Sequence, residues 1–173
     1  MFDPTAFENM RVVMEGALYD QDLNGEIRII DRNDLINTAK MSRAYEITLS
    51  LPEGSDKNTC TFLMEAKLEN LAAELLPPVH SEALSGCHVS ITFNISHQAI
   101  EGIQHTINEI IKEVWGEERQ FEQKIVVDPF SQNDLVTTEV KVQFNRLVYE
   151  DHIDDLVHMV EYMILTLQRL KNI

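Results

Sequence analysis

Residues that alternate between apolar and polar side chains mark the strands of this chain. Residues 45–51 alternate Tyr, Ile and Leu with Glu, Thr and Ser, which predicts a strand with one buried face. The same period of two recurs over residues 88–95, and shorter runs near residues 121–127 and 140–144 predict two more strands. Because alternation leaves one face of a sheet in solvent, it is typical of antiparallel sheets.

Apolar residues spaced by three or four positions mark the helices. This spacing covers residues 7–18, 68–76, 100–114 and 153–170. Residues 60–68 alternate like a strand before the second of these helices begins. Helices with one apolar stripe bury that stripe against another layer. The pattern therefore predicts an α+β fold, an antiparallel sheet with amphipathic helices packed on one of its faces.

The two halves of the chain echo each other. Residues 26–31 resemble residues 124–128, and each segment follows an amphipathic helix and precedes an alternating strand and an apolar helix. We expect one α+β domain over residues 1–173, with the alternative of two related helix–strand–strand–helix units over residues 1–78 and 86–173. The C-terminal half has the strand–helix–strand–strand–helix order of a ferredoxin-like split unit, an order that carries no function by itself.

The charge of the chain limits its partners. With 14 Lys and Arg against 29 Asp and Glu, the net charge is -15. Phosphate backbones are bound by clustered bases, so we expect no nucleic-acid binding, and anionic membrane surfaces are disfavoured for the same reason. No apolar run approaches the roughly 20 residues of a membrane helix, and residues 1–4 lack the basic start of a signal peptide. Two cysteines are too few for a disulfide framework, so the cytoplasm is the expected location.

The segment from Asp20 to Asp31 has two interpretations. The first is a calcium-binding loop with Gly25 at the sharp bend. Its oxygen ligands are Asp20, Asp22, Asn24, Glu26 through its backbone carbonyl, and Asp31. The second is a β-hairpin over residues 17–30, with Asn24 and Gly25 at its tip, a pair typical of tight two-residue turns. The hairpin is favoured because Asp31 stands where a longer Glu is usual and no second loop of this kind occurs.

The last helix is apolar over more than one stripe. A helix with so wide an apolar arc needs cover on two sides. One interpretation is burial between the sheet and another helix. The other is a subunit interface formed by Met159, Met163 and Leu167, since methionine adapts well to contact surfaces. Because most soluble oligomers are symmetric dimers, the second interpretation predicts a homodimer.

Signals for catalysis are weak in this sequence. The six histidines lack the paired spacing of a zinc site and are interpreted as surface residues: His80, His88, His97, His105, His152 and His158. The acids of residues 150–155 suit a helix start better than a cation site. No serine elbow and no phosphate-cradling glycine loop occur. We therefore expect a protein without enzymatic activity and without a cofactor, acting through self-association or a protein partner. A calcium-binding module over residues 20–31, and an enzyme with a carboxylate or histidine in a cleft, are the alternatives.

Overall fold

Helices and strands alternate along the chain in an α+β pattern, as predicted. The computed structural model describes residues 5–53, 57–76, 82–130 and 134–173. Within these ranges the strands are β1 Arg28–Asn37, β2 Ser42–Ser50, β3 Thr59–Ala66, β4 His88–Gln98, β5 Gln120–Val126 and β6 Leu135–Gln143. The helices are α1 Thr5–Leu23, α2 Leu68–Leu75, α3 Ile103–Trp115 and α4 Ile153–Leu170. Within the same ranges, no helix combines the length and the apolar character needed to cross a membrane.

All six described strands join one antiparallel sheet in the order β1-β2-β3-β4-β6-β5. The pairing of β3 with β4 connects residues 1–78 and 86–173 through the centre of the sheet. In the C-terminal half, β6 lies between β4 and β5, and α3 connects these two flanking strands, which is the predicted split-unit order. The helix–strand–strand order occurs at both edges, but the N-terminal half inserts β3 before its second helix.

One face of the sheet carries the hydrophobic core. Tyr45, Phe62 and Phe93 are among the fully buried side chains of this face. The helices α1, α4 and α3 pack against it side by side in that order, as the contacts of α4 with both neighbours indicate. The intervening strand positions are polar and partly exposed, and Thr48 faces Thr61 across β2 and β3 with 2.9 Å between their hydroxyl oxygens. The predicted packing of helices on one face is therefore confirmed.

Asn24 and Gly25 end a helix instead of turning a hairpin. Helix α1 continues through Gly16 to Leu23, so residues 17–23 are not a strand, and the predicted hairpin over residues 17–30 is wrong. Gly25 has a φ of 75°, and its N–H donates to the carbonyl oxygen of Asp22 while the Glu26 N–H donates to that of Gln21. These two bonds form a Schellman motif, a common way to close a helix at a left-handed glycine.

The first strand pair is instead β1 with β2. Its turn comprises residues 38–41, and the side-chain oxygen of Asn37 accepts hydrogen bonds from the backbone N–H groups of Ala39 and Lys40, each at 3.1 Å. Met41 closes the turn with a φ of 51°. A register shift between Ile29 and Asp31 bends the other end of β1. The hairpin therefore presents a tightly fixed turn at the end where α2 also lies.

Candidate functional site

The predicted calcium ligands are separated by the end of α1. Asp20 and Asp22 lie two positions apart in a helix, so their side chains point in different directions. Asn24 is in the helix stop, and Asp31 lies in β1, where Asn33 donates to its carboxylate at 2.9 Å. Among the described residues, no group of three or more His, Cys, Asp or Glu is arranged to hold a metal ion. The fold does not bring the five predicted ligands together.

The predicted interface residues of α4 belong to the core of a single chain. Met163 is fully buried, and Met159 and Leu167 are 8% and 2% exposed. The two sides that the wide apolar arc required are supplied by the sheet and by the flanking helices α1 and α3. Met159, Met163 and Leu167 therefore do not form a surface on which a second subunit can dock, and this prediction is wrong.

His97 and Cys87 are buried, and among the described residues the Tyr45 hydroxyl and Ser50 Oγ are also buried but have no hydrogen-bond partner. His97 is buried, unlike the surface residue that was predicted, because β4 extends to Gln98 and turns this side chain inward. Its Nε2 lies 2.8 Å from Thr138 Oγ1, and its Nδ1 lies 2.7 Å from the Gln98 carbonyl oxygen. Burial raises the pKa of the Cys87 thiol to about 12, which opposes formation of a reactive thiolate. His80 lies outside the described residues.

An apolar groove lies between the β1–β2 turn and α2. Its volume is about 390 Å³. The hairpin contributes Ile36 and Met41, and α2 contributes Leu68, Leu71 and Leu75 along one side. Of these five side chains, Leu71 is buried against the core, and the other four are exposed. The groove is therefore an extension of the hydrophobic core that stays open to solvent.

Buried and charged groups fix α2 in place. The side-chain oxygen of Asn70 accepts a hydrogen bond from the Lys67 N–H at 2.9 Å, and its amide nitrogen donates to the Leu84 carbonyl oxygen at 3.0 Å. The Ala6 N–H donates to the Glu74 carboxylate at 2.6 Å, at the positive end of the α1 dipole. A helix of eight residues is too short to be stable alone in water. These contacts therefore hold one wall of the groove.

Arg43 supplies a charged group at the base of the groove. Its guanidinium donates to Asp34 through two atoms, at 2.9 and 3.1 Å, and to Glu8 at 2.8 Å. It also lies 4.7 Å from the centre of the Phe7 ring. The hydrogen bond to Asp34 raises the pKa of Arg43, and hydrogen bonds from Arg11 and Arg43 lower the pKa of Glu8. The hairpin is thus tied to α1 by ionised groups, which makes the groove wall rigid.

Met41 combines backbone strain with exposure. A left-handed φ is uncommon for a residue with a long side chain, and it costs about 1–3 kcal/mol unless glycine occupies the position. The Met41 side chain is nevertheless 57% exposed and lines the groove. Folding alone gives no reason to hold an apolar side chain here.

No family model, curated protein or solved structure matches this chain. The chemistry of the groove must therefore be judged from its own side chains. Its exposed side chains are almost all aliphatic, and the nearest cation, Arg43, is held by Asp34 and Glu8. Such a surface can bind apolar side chains by excluding water.

The sequence pattern gave only half of this site. The helical spacing of Leu68, Leu71 and Leu75 was recognised, but periodicity does not distinguish a stripe that is covered from one that stays open. Residues 31–42 are polar and weakly patterned, which hid Ile36 and Met41. The only available signal was a methionine in a turn rich in polar residues, where an apolar side chain has no packing role.

Proposed function

We propose that this chain is a protein-interaction module without catalytic activity, and that a second copy of the chain docks into the groove. The exposed, strained Met41 is the observation that carries this proposal. Local strain persists where the side chain has a use that glycine could not serve. A contact between Met41 and an apolar partner side chain is such a use, since methionine adapts to irregular surfaces.

The shape of the surface supports a second copy as the occupant. Leu68 and Leu75 are exposed on α2 along the groove, and Ile36 and Met41 are exposed on the hairpin side. The groove and the exposed apolar side chains along it therefore form one continuous patch, and a two-fold interface brings the same patch of both copies together. The exposed apolar side chains of this patch present on the order of 600 Å², near the roughly 800 Å² that each partner gives to a standard interface. They are Ile36, Met41, Leu68, Leu75 and Leu76.

Strand addition is a poorer mode of association for this edge. The outer strand β1 carries Arg28, Asp31, Arg32 and Asp34 over most of its length, and its register shifts near Ile29. Charged side chains and bulges are features that keep edge strands from pairing. Side-chain docking at the apolar end of the hairpin avoids these charges.

The net charge predicts how association responds to salt. Two copies with a charge of -15 each repel one another, and salt screens that repulsion while it strengthens apolar contacts. Dimerisation through the groove should therefore tighten as salt rises. A basic protein partner would show the opposite dependence, because its attraction to this chain would be screened.

Analytical ultracentrifugation of three variants tests the proposal. Met41→Asp and Leu68→Asp place a charge in the groove at positions that tolerate aspartate, a left-handed turn residue and the first residue of a helix. Val127→Asp is the matched control, because Val127 is also 57% exposed but follows β5 at the other edge of the sheet. We expect the two groove variants to weaken the dimer at least tenfold and the control to leave it unchanged.

Met41→Gly separates docking from stability. Glycine removes the left-handed strain, so the free energy of unfolding of the Met41→Gly chain should be about 1 kcal/mol higher than that of the parent chain. The variant should nevertheless dimerise more weakly, because it lacks the Met41 side chain. Two results contradict the proposal. One is a chain that stays monomeric at every concentration and salt level, and the other is a dimer that survives both aspartate substitutions in the groove.

The cytoplasm is part of the same proposal. Cys60 and Cys87 are both free thiols buried in the core. Free thiols fit a reducing compartment, where disulfides rarely form. Homodimers that need no disulfide are common in such compartments.

A further inference from the structure

A second concave surface lies away from the groove, between the end of α3, the end of β6 and the first turns of α4. Its volume is about 670 Å³, within the range of small-molecule sites, and it shares no lining residue with the groove. Aromatic side chains and cations line it together, among them Trp115, Phe144, Tyr162, Arg119, Arg146 and His152. We refer to this surface as the aromatic cleft.

Three aromatic rings form one wall of the cleft. The Trp115 ring lies 6.2 Å from Phe144 and 5.7 Å from Tyr162 between ring centres, each pair in an edge-to-face arrangement. The Trp115 Nε1–H donates to Thr166 Oγ1 at 3.0 Å, which fixes the indole from behind. Tyr162 is about half exposed. Trp115 and Phe144 are each 8% exposed, so they back the wall, and Tyr162 supplies most of the apolar surface that is open to a planar ring.

Two arginines stand at the rim of this wall. The Arg119 guanidinium lies 4.8 Å from the centre of the Phe144 ring and forms no ion pair with any residue in the described ranges. Arg146 is 3.6 Å from the Asp155 carboxylate, and both side chains are more than half exposed. Guanidinium groups bind carboxylate and phosphate through a planar fork of N–H donors.

The acids of the cleft are already occupied. Glu113 accepts a hydrogen bond from Arg169 at 2.6 Å, and Asp155 faces Arg146. Neither of these two acids forms an ion pair with Arg119. His152 adds a donor, since its Nδ1 accepts the Tyr149 N–H at 3.3 Å and its Nε2 carries the proton in the neutral ring.

From this arrangement we propose that the aromatic cleft binds a small organic anion that carries a planar ring. The ring packs against the exposed Tyr162, which Trp115 backs, and the carboxylate or phosphate of the ligand meets Arg119, with Arg146 as a second donor. The site is independent of the groove, and loss of dimerisation would leave it intact. The ligand must carry both a ring and a negative charge, because aromatic side chains and arginines line the same cleft.

Fluorescence of Trp115, the single tryptophan of the chain, reads out this site directly. The probes are benzoate and adenosine 5′-monophosphate, which carry a ring with a carboxylate or a phosphate, and benzamide, acetate and inorganic phosphate, which lack one of the two parts. We expect a saturable change in Trp115 fluorescence with benzoate, with the nucleotide or with both. Benzamide, acetate and inorganic phosphate should bind at least tenfold more weakly. A response to benzoate alone or to the nucleotide alone identifies which anion the arginine fork accepts.

Variants of Arg119 test whether its guanidinium binds the anionic group of the ligand. Arg119→Gln should weaken binding of the ring anion at least tenfold, and Arg119→Lys should retain part of the affinity that Arg119→Gln loses. Arg146→Gln should weaken it less, because Arg146 is shared with Asp155. Lys40→Gln, in the distant β1–β2 turn, is the control and should bind like the parent chain. The proposal is overturned if no probe gives a saturable change, if benzamide binds as tightly as benzoate, or if Arg119→Gln binds as tightly as the parent.

Discussion

Asn70 is the residue whose loss should loosen the groove most directly. It is buried in a short helix and makes one hydrogen bond at each end of its amide, from the Lys67 N–H and to the Leu84 carbonyl oxygen. Asn70→Ala removes both bonds and leaves both backbone groups without this partner. Because α2 has eight residues and cannot hold itself in place, the substitution should affect its position as well as its stability.

The expected loss of stability depends on whether water can replace Asn70 as the hydrogen-bond partner of each backbone group. A buried group left without a partner costs about 1–3 kcal/mol. Lys67 and Leu84 are exposed residues, so water can reach part of their backbone and reduce that cost. We therefore expect Asn70→Ala to lower the free energy of unfolding by about 2 kcal/mol, the lower end of the summed range of about 2–6 kcal/mol.

Asn70→Asp tests the same bonds through pH. The introduced carboxylate can still accept the Lys67 N–H, but it cannot donate to the Leu84 carbonyl oxygen and is desolvated in a buried position. Desolvation favours the protonated form, so the folded-state pKa of the new group lies above its unfolded value near 3.9. A group of this kind stabilises the fold below its unfolded pKa, and that contribution is lost as pH rises through the folded pKa.

Urea unfolding followed by Trp115 fluorescence measures both variants, at two protein concentrations so that dimerisation can be separated from folding. The deficit of Asn70→Asp relative to the parent chain should shrink from neutral pH towards pH about 4. The Asn70→Ala deficit should not change in that range. A loss below about 0.5 kcal/mol for Asn70→Ala, or a pH-independent deficit for Asn70→Asp, would refute this account of α2.

Two other substitutions probe the frame around the groove. Glu8→Gln should lower stability by about 1 kcal/mol at neutral pH and flatten the acid limb of the stability curve, because Arg11 and Arg43 lower the folded pKa of Glu8 and its contribution is lost as pH falls below about 4.5. The free energy of unfolding of this variant and of the parent chain, measured from pH about 7 to about 3, tests both expectations. An acid limb as steep as that of the parent chain would contradict them. Gly86→Ala should cost about 2–4 kcal/mol, since its new methyl group would lie 2.8 Å from the Val148 carbonyl oxygen, which is held by the Cys87 N–H. Gly16→Ala is the matched control, because nothing lies within 4 Å of that methyl group and alanine favours the helix, so thermal unfolding should show a gain of about 0.5–1 kcal/mol.

Alternation was the part of the sequence that predicted structure most directly. Residues 45–50 lie in β2 and residues 88–95 in β4, where the apolar positions are buried and the polar positions, except the buried Ser50, are partly exposed. A strand has a period of two, so its buried face can be identified without knowledge of its partners. Gly116 ends α3 with a φ of 85°.

Asn24-Gly25 shows where local sequence is ambiguous. The same pair suits a tight hairpin turn and the left-handed close of a helix, because both need a positive φ. The decision depends on residues 17–23, whose apolar members Ala17 and Leu18 fit the stripe of Phe7, Met10 and Met14. Only the wider register along α1 resolves it, and Gly16 concealed that register because glycine is tolerated on an exposed helical face.

The number of helices that fit across the sheet explains why α4 is covered on both sides and α2 is not. Six strands about 4.8 Å apart span roughly 24 Å from the first to the last. Helices about 10 Å in diameter then cover that width with three members. The structure fills those places with α1, α4 and α3, so the widest apolar helix, α4, takes the central position and is covered on both sides.

Helix α2 is the fourth, and the sheet has no remaining width to cover its apolar stripe. Its buried Leu71 joins the end of the core, while Leu68 and Leu75 stay in solvent opposite the β1–β2 turn. Methionines and leucines in a helix therefore indicate an interface only when the sheet is already covered. By that reasoning Met159 and Met163 are buried, and the exposed apolar surface lies beside α2, the shortest α-helix of the described residues.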